Sequence, residues 1–234
     1  HKNMAPIAFI LKFSLLSLLH IIPIFRSVSA SDPDPLGDFC VAELASPFLS
    51  VNGPFPCKPT STINPADFTS RLLRESSPLV PGLGVAVNLL NVERFPGLNS
   101  QGLSISRIDF QPNGLNPPHV HPRASEVFYL LHGTLSVAFV SADNNYTLYE
   151  RTIYEGDVVV FPRGLVHYQV NVDASKSARA IAAFNSQNPG REDVAVTLFG
   201  PASSRVPTNV LQKALGGVSA ALIEELIAKV PPPA

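Results

Sequence analysis

An all-β fold, a sandwich or barrel with the jelly roll as its preferred form, is what the 234-residue sequence predicts. Three observations carry it. Leu135, Val137 and Phe139 alternate with Thr134, Ser136 and Ala138, the period-2 pattern of a half-buried strand. Val158 to Phe161 is a fully apolar run that Pro162-Arg163-Gly164 turns back into Val166 to Val172. Between about residues 84 and 185, short runs of Val, Ile, Leu and aromatics follow one another at close intervals, punctuated by Gly, Pro and Asn, with almost no helical period between them.

The elements follow in chain order. Residues 1–30 read as a secretory leader rather than fold: Lys12, the apolar run "FSLLSLLHIIPIF", then "SVSA" with small residues before a cut at Ser31. The run is short for a membrane span and is interrupted by Pro23 and Arg26. Met4 is the only methionine, so His1 to Asn3 are read as upstream residues. Residues 31–83 form an N-terminal arm, rich in Pro, Ser and Gly as far as residue 66. It holds both cysteines of the chain, Cys40 and Cys57, and in an oxidising compartment these are expected to pair. Within the arm, "NPADFTSRLLRE" predicts a short helix with Asn64 as N-cap, Pro65 at the first helical position and Leu72 and Leu73 on its apolar side.

Residues 84–200 form the barrel. Residues 201–234 form a C-terminal helical extension of two stretches, "TNVLQKALGG" and "SAALIEELIAKV", with Thr208 and Ser219 as expected N-caps. Leu222, Ile223, Leu226, Ile227 and Val230 make one apolar stripe that needs cover from the barrel or from a second subunit.

The formal net charge of −1 supplies no broad attraction for nucleic acid or anionic membranes. No Walker loop, no G-x-G-x-x-G after a strand and no G-x-S-x-G occurs, so nucleotide handling and serine hydrolase chemistry have no support. One sequon, Asn145-Tyr146-Thr147, falls in the polar loop "SADNNYT", where a glycan has room. Leader, cysteine pair and sequon agree on an extracellular glycoprotein.

The chemistry concentrates in "NPPHVHPRASEVFYLLHG", residues 116–133. His119 and His121 are two apart, so on an extended strand both side chains point to one face. Glu126 has the opposite parity, and the intervening "PRAS" can supply the turn that brings it back. A further histidine, His167, lies in "GDVVVFPRGLVHYQVN" and would reach the pair if the two hairpins face each other across a barrel. Beyond the leader only four histidines remain, and three belong to this group; His132, beside Gly133, is the exception. Burying three imidazoles and a carboxylate without an ion would leave several polar groups needing partners. A divalent metal satisfies them, with zinc, iron, copper, nickel and manganese all open on ligand type.

Two patterns now stand out: G-x4-H-x-H-x4-E-x6-G from Gly114 to Gly133, and G-x5-P-x4-H-x3-N from Gly156 to Asn171. Together they resemble the two sequence boxes of the cupin superfamily. "GDFCVAEL" at 37–44, "FPRGLVHYQVN", "FNSQNPG" at 184–190 and "VTLFG" at 196–200 are similar to its plant germin and germin-like branch, over about residues 36–230. The resemblance implies a single cupin jelly-roll barrel with His119, His121, Glu126 and His167 as manganese ligands and Cys40–Cys57 as the N-terminal disulfide. It also implies an extracellular, wall-associated glycoprotein assembled as a hexamer, a trimer of dimers in which C-terminal helices clasp neighbours.

The branch includes oxalate oxidases, manganese superoxide dismutases, nucleotide pyrophosphatases, auxin-binding members and proteins without an assigned reaction, and fold alone does not choose among them. Asn116 matches an asparagine that oxalate-oxidising members place near substrate. Ser106 stands where those members carry a second asparagine, and it lacks the amide's paired donor and acceptor. Superoxide dismutation needs only a redox-active ion, an approach for a small anion and a proton source. It is therefore the expected activity, with a non-enzymatic, metal-stabilised wall or receptor protein of storage or auxin-binding type as the alternative and oxalate oxidation third.

Overall fold

The computed structural model describes residues 37–46, 55–143, 145–201 and 205–230. The expected leader lies outside these. Ten strands run β1 Val85–Leu90, β2 Ser104–Phe110, β3 Leu115–Val120, β4 Glu126–His132, β5 Thr134–Ser141, β6 Thr147–Tyr154, β7 Val158–Phe161, β8 His167–Asn171, β9 Ala178–Phe184 and β10 Glu192–Asp193. They form two antiparallel five-stranded sheets, ordered β1-β2-β9-β4-β7 and β10-β3-β8-β5-β6, which is the expected jelly-roll architecture.

Period-2 patterning on β2, β4, β8 and β9 puts one face of each into a shared core, whereas β5 departs from the expected half-buried alternation, with Leu135 to Ala138 all buried beneath neighbouring strands on both sides. On β2, Ser104, Ser106, Ile108 and Phe110 are buried and the residues between them are not. On β4, Glu126, Phe128 and Leu130 point inward, and on β8 His167, Gln169 and Asn171 do so. The core joins Val85, Phe110, Phe128, Phe161 and Phe184 of one sheet to Leu135, Val137 and Ile153 of the other. The inward residues of central strand β9 before Phe184 are alanines, which leaves volume for the rings; Phe128 and Phe161 meet edge-on with centroids 6.0 Å apart. The β4–β5 turn depends on Gly133, whose φ is +96°. A Cβ there would sit 2.5 Å from the Cβ of Ala178.

In the arm, Cys40 and Cys57 form the predicted disulfide. Asn64 caps as expected, accepting from the Ala66 N–H at 2.9 Å while Asp67 completes a capping box. The helix it opens is only a 3-10 turn, Pro65–Phe68, and stops before Leu72 and Leu73. The reason lies in the barrel. Asn88 on β1 donates to the carbonyls of Leu72 at 2.8 Å and Glu75 at 3.2 Å, and Arg107 on β2 donates to that of Leu73 at 3.2 Å. Side chains of the sheet thus take the carbonyls a helix would have used, and Leu72 remains 44% exposed.

Three short helices follow the barrel: α1 Val194–Phe199, α2 Thr208–Ala214 and α3 Ala220–Lys229. Ser219 caps α3 through the Leu222 N–H at 3.2 Å, as expected. Thr208 is not the cap of α2. Pro207 occupies that position, and the Thr208 hydroxyl donates to Glu224 of α3 at 3.1 Å. Of the apolar stripe, Ile223 is fully buried, whereas Leu222 and Leu226 stay exposed. Among the described residues no helix is long and apolar enough to cross a membrane.

Candidate metal centre

His119 lies near the end of β3, and His121 follows one residue past it. His167 arrives by a route different from the expected one. Strands β3 and β8 are neighbours in one sheet, and His119 and His167 are register partners, so the third imidazole comes by lateral pairing and not from across the barrel. Glu126 is the residue that comes from across: the turn at Pro122–Arg123 carries the chain into β4 of the opposite sheet. All four side chains are buried, and their ligand atoms lie within 4.8 Å of one another.

The backbone fixes the rings. The Nδ1 atom of His119 meets the Pro117 carbonyl at 2.7 Å, that of His167 meets the Leu165 carbonyl at 2.8 Å, and that of His121 meets the Gly190 carbonyl. A carbonyl only accepts, so Nδ1 carries the hydrogen and the neutral ring leaves a lone pair on Nε2. The Nε2 atoms of His121 and His167 stand 3.1 and 3.2 Å from Oε2 of Glu126. Lone pairs facing an anionic oxygen repel unless a positive charge lies between them. Three nitrogen donors and one carboxylate oxygen in this arrangement fit a divalent first-row ion.

The surroundings sharpen that demand. Phe161 stacks on His167 with centroids 4.6 Å apart, and Phe184 meets His121 in an edge-to-face contact at 4.7 Å. Burial, reinforced by the nearby Arg191 and the other two imidazoles, pushes the proton affinity of His119 well below the ordinary histidine value. Burial also works against the Glu126 carboxylate. Where His121 and His167 hold protons on Nε2 in place of an ion, their hydrogen bonds and charge outweigh it and bring Glu126 down to about 2. The cluster therefore favours neutral His119 and ionised Glu126, the protonation states that metal binding needs.

The centre opens on a cavity of about 290 Å³ lined by Ser106, Asn116, Phe184 and Arg191, among others. Asn116 is buried, and its amide is engaged at both ends: Nδ2 donates to Gln169 at 2.6 Å, and Oδ1 accepts from Arg191 at 3.0 Å. Ser106 is buried in the same wall, with a single long contact of 3.5 Å to the Arg107 carbonyl. Sequence reasoning did not single out Arg191 or Gln169. Gln169 had a signal, since it shares the parity of His167 on β8. Arg191 had none, because only the pairing of β10 with β3 brings it here. His132 lies outside the cluster, half-buried. Asn145 is exposed in the β5–β6 loop at φ +51°.

A double-sheet barrel holding three imidazoles and a carboxylate beside an inward cavity is the arrangement of a cupin, and the cupin sequence profile matches residues 72–219. Germin-like protein subfamily 2 member 4 of Arabidopsis thaliana is 47% identical over 199 residues, 85% of this chain and 86% of that protein. Oxalate oxidase 2 of Hordeum vulgare is 45% identical over 91% of this chain and 94% of its own length. A solved structure of oxalate oxidase in complex with the substrate analogue glycolate superposes with a TM-score of 0.79 at 44% identity, covering 85% of this chain and 98% of the other. The chain belongs to the germin-like family of cupins.

Proposed function

We propose that this chain is a secreted, manganese-binding germin-like glycoprotein that dismutes superoxide in the extracellular space or cell wall and releases hydrogen peroxide. The reaction takes two superoxide anions and two protons to one dioxygen and one hydrogen peroxide. The observation that carries the proposal is the four-donor cluster beside a small cavity in whose wall the amide of Asn116 is committed at both ends. Bound manganese supplies a one-electron couple and a place for a small anion to approach. The chain's own residues hold the rest: Pro117, Leu165 and Gly190 orient the imidazoles, and the rings of Phe161 and Phe184 shield two of them. A diatomic anion needs no further clamp.

Oxalate oxidation is the second reading, favoured by the similarity to oxalate oxidases. Against it stand the engaged Asn116 amide and the short side chain of Ser106, neither of which offers a free amide to a two-carbon dianion. A binding protein of the wall or receptor type, in which the ion serves only the fold, is the reading from another class. Cys40–Cys57 and the exposed sequon at Asn145 support secretion and glycosylation. The exposed Leu222 and Leu226 of α3 support a homo-hexamer built from dimers.

The test is elemental analysis of the secreted protein, followed by superoxide and oxalate assays before and after chelation. About one manganese per chain with chelator-sensitive superoxide loss is the expected result. Peroxide from oxalate without superoxide loss would move the assignment to the second reading, and bound metal with neither activity to the third.

A further inference from the structure

The cavity contains a charged group that the donor cluster does not use. Arg191 lies immediately before β10, where Glu192 pairs with Val120 and Asp193 with His119. The preceding residue, Gly190, accepts from His121 through its carbonyl. Residues 190–193 are thus pinned along the ligand strand, and Arg191 forms part of the cavity wall. Its side chain is only 15% exposed.

The guanidinium is held by a fork. Nε donates to Oδ2 of Asp193 at 3.2 Å, and Nη2 donates both to Oδ1 of Asp193 and to Oδ1 of Asn116. The Nη1 group has no partner among the described residues. Arginine does not give up its proton in proteins, so these donors are permanent. The neighbouring cavity wall includes the apolar Val87, Leu89 and Ile108, and N–H groups left unmatched in such surroundings favour an acceptor that enters. Arg94 reaches the same cavity but is differently occupied: its Nη1 donates to Asn88 Oδ1 at 2.7 Å and to the Leu89 carbonyl at 2.6 Å.

We propose that Arg191 is the anion-receiving residue of this cavity: its Nη1 group takes one oxygen of a small monovalent oxyanion or carboxylate lodged against the histidine cluster, while Asp193 and Asn116 act as positioning residues. Because Asp193 balances the charge, Arg191 acts by directed donation at short range and not by long-range attraction. The proposal rests on the metal-centre reading above only for the other side of the anion's seat.

The probe is formate. It is titrated into the full-length secreted protein, metal-loaded and chelator-treated, by calorimetry, and for the loaded form by manganese-induced relaxation of ¹³C-formate. Three proteins are compared: wild type, Arg191→Lys, and the neutral pair Arg191→Gln with Asp193→Asn, which avoids leaving a buried carboxylate alone. Metal content and melting temperature are recorded for each. The expected result is formate affinity about tenfold or more weaker in the neutral pair, with metal content unchanged and the lysine variant in between, as loss of a charged donor to an anion implies. Equal affinity in all three proteins would overturn the proposal and leave Arg191 as a tie for β10, as would failure of wild type to bind formate in either form. Arg191-dependent formate binding without superoxide activity would remove the dismutase reading and keep this one. Arg191-dependent binding in a protein that takes up no metal would remove the metal reading alone.

Discussion

Glutamate 126 should be the group whose removal most changes how the metal-free protein responds to acid. Its carboxyl is buried, and in the fold it titrates at about 2 instead of 4.5. Unfolding returns it to the higher value, so as pH falls the unfolded chain takes up the proton first. The contribution of Glu126 to stability is therefore complete above about pH 5 and is lost as pH drops towards 2, and its full size is about 3 kcal/mol. For a chain of this length that corresponds to roughly 6–12 °C in melting temperature. Glu126→Gln keeps the shape and removes the titration. The assay is thermal unfolding of chelator-treated wild type and variant from pH 6 to pH 2. Other carboxylates, including Asp109, titrate in both proteins and cancel in the difference. The wild type should lose about 3 kcal/mol more than the variant over that interval. Added manganese at neutral pH should then raise the melting temperature of wild type well above that of the variant, because only the intact donor set gains binding energy in the folded state. Parallel melting curves over the whole pH range would refute the coupling between Glu126 and the two imidazoles.

Three further outcomes are expected. Gly133→Ala places a methyl group 2.5 Å from Ala178 at a φ of +96°; left-handed strain and overpacking together should cost about 2–5 kcal/mol, read as a lower denaturant midpoint with unchanged metal stoichiometry once folded. Reducing Cys40–Cys57, which closes a loop of sequence separation 17, should cost about 3 kcal/mol and expose the arm to protease while the histidine cluster retains its ion. Ser106→Asn puts a second amide into the cavity wall and should raise peroxide production from oxalate above wild type; no change would show that the engaged Asn116, and not position 106, limits that reaction.

Much of this was legible in the sequence because it is written in local periods. The alternating residue types of β5 mark it as a strand, although both of its faces are buried from Leu135 to Ala138, and the i, i+2 spacing of His119 and His121 survives intact in the fold. Glu126 could be read as a ligand because the turn that corrects its parity is encoded just before it. What could not be read depends on which strands become neighbours. That β8 lies beside β3, and that β10 brings Arg191 to the cavity, are facts of pairing over long separations that no local pattern carries. The arm shows the reverse case. The cap at Asn64 is local and was legible, but the helix it should have opened gives way to Asn88 and Arg107, residues of strands that come later in the chain.

The three ties between imidazole Nδ1 atoms and main-chain carbonyls reach beyond the protein itself. Donors anchored to the scaffold in this way do not wait for an ion to organise them, and they have little means of resizing themselves to suit one ion over another. Intrinsic preference among divalent ions would then follow the general order, in which copper and zinc outrank manganese. A manganese-loaded protein would consequently owe its cargo to circumstance: to the ion pool the newly folded chain meets first, and to how slowly a buried site flanked by Phe161 and Phe184 exchanges what it has taken. Loading history, more than coordination chemistry, would decide whether the folded molecule is active.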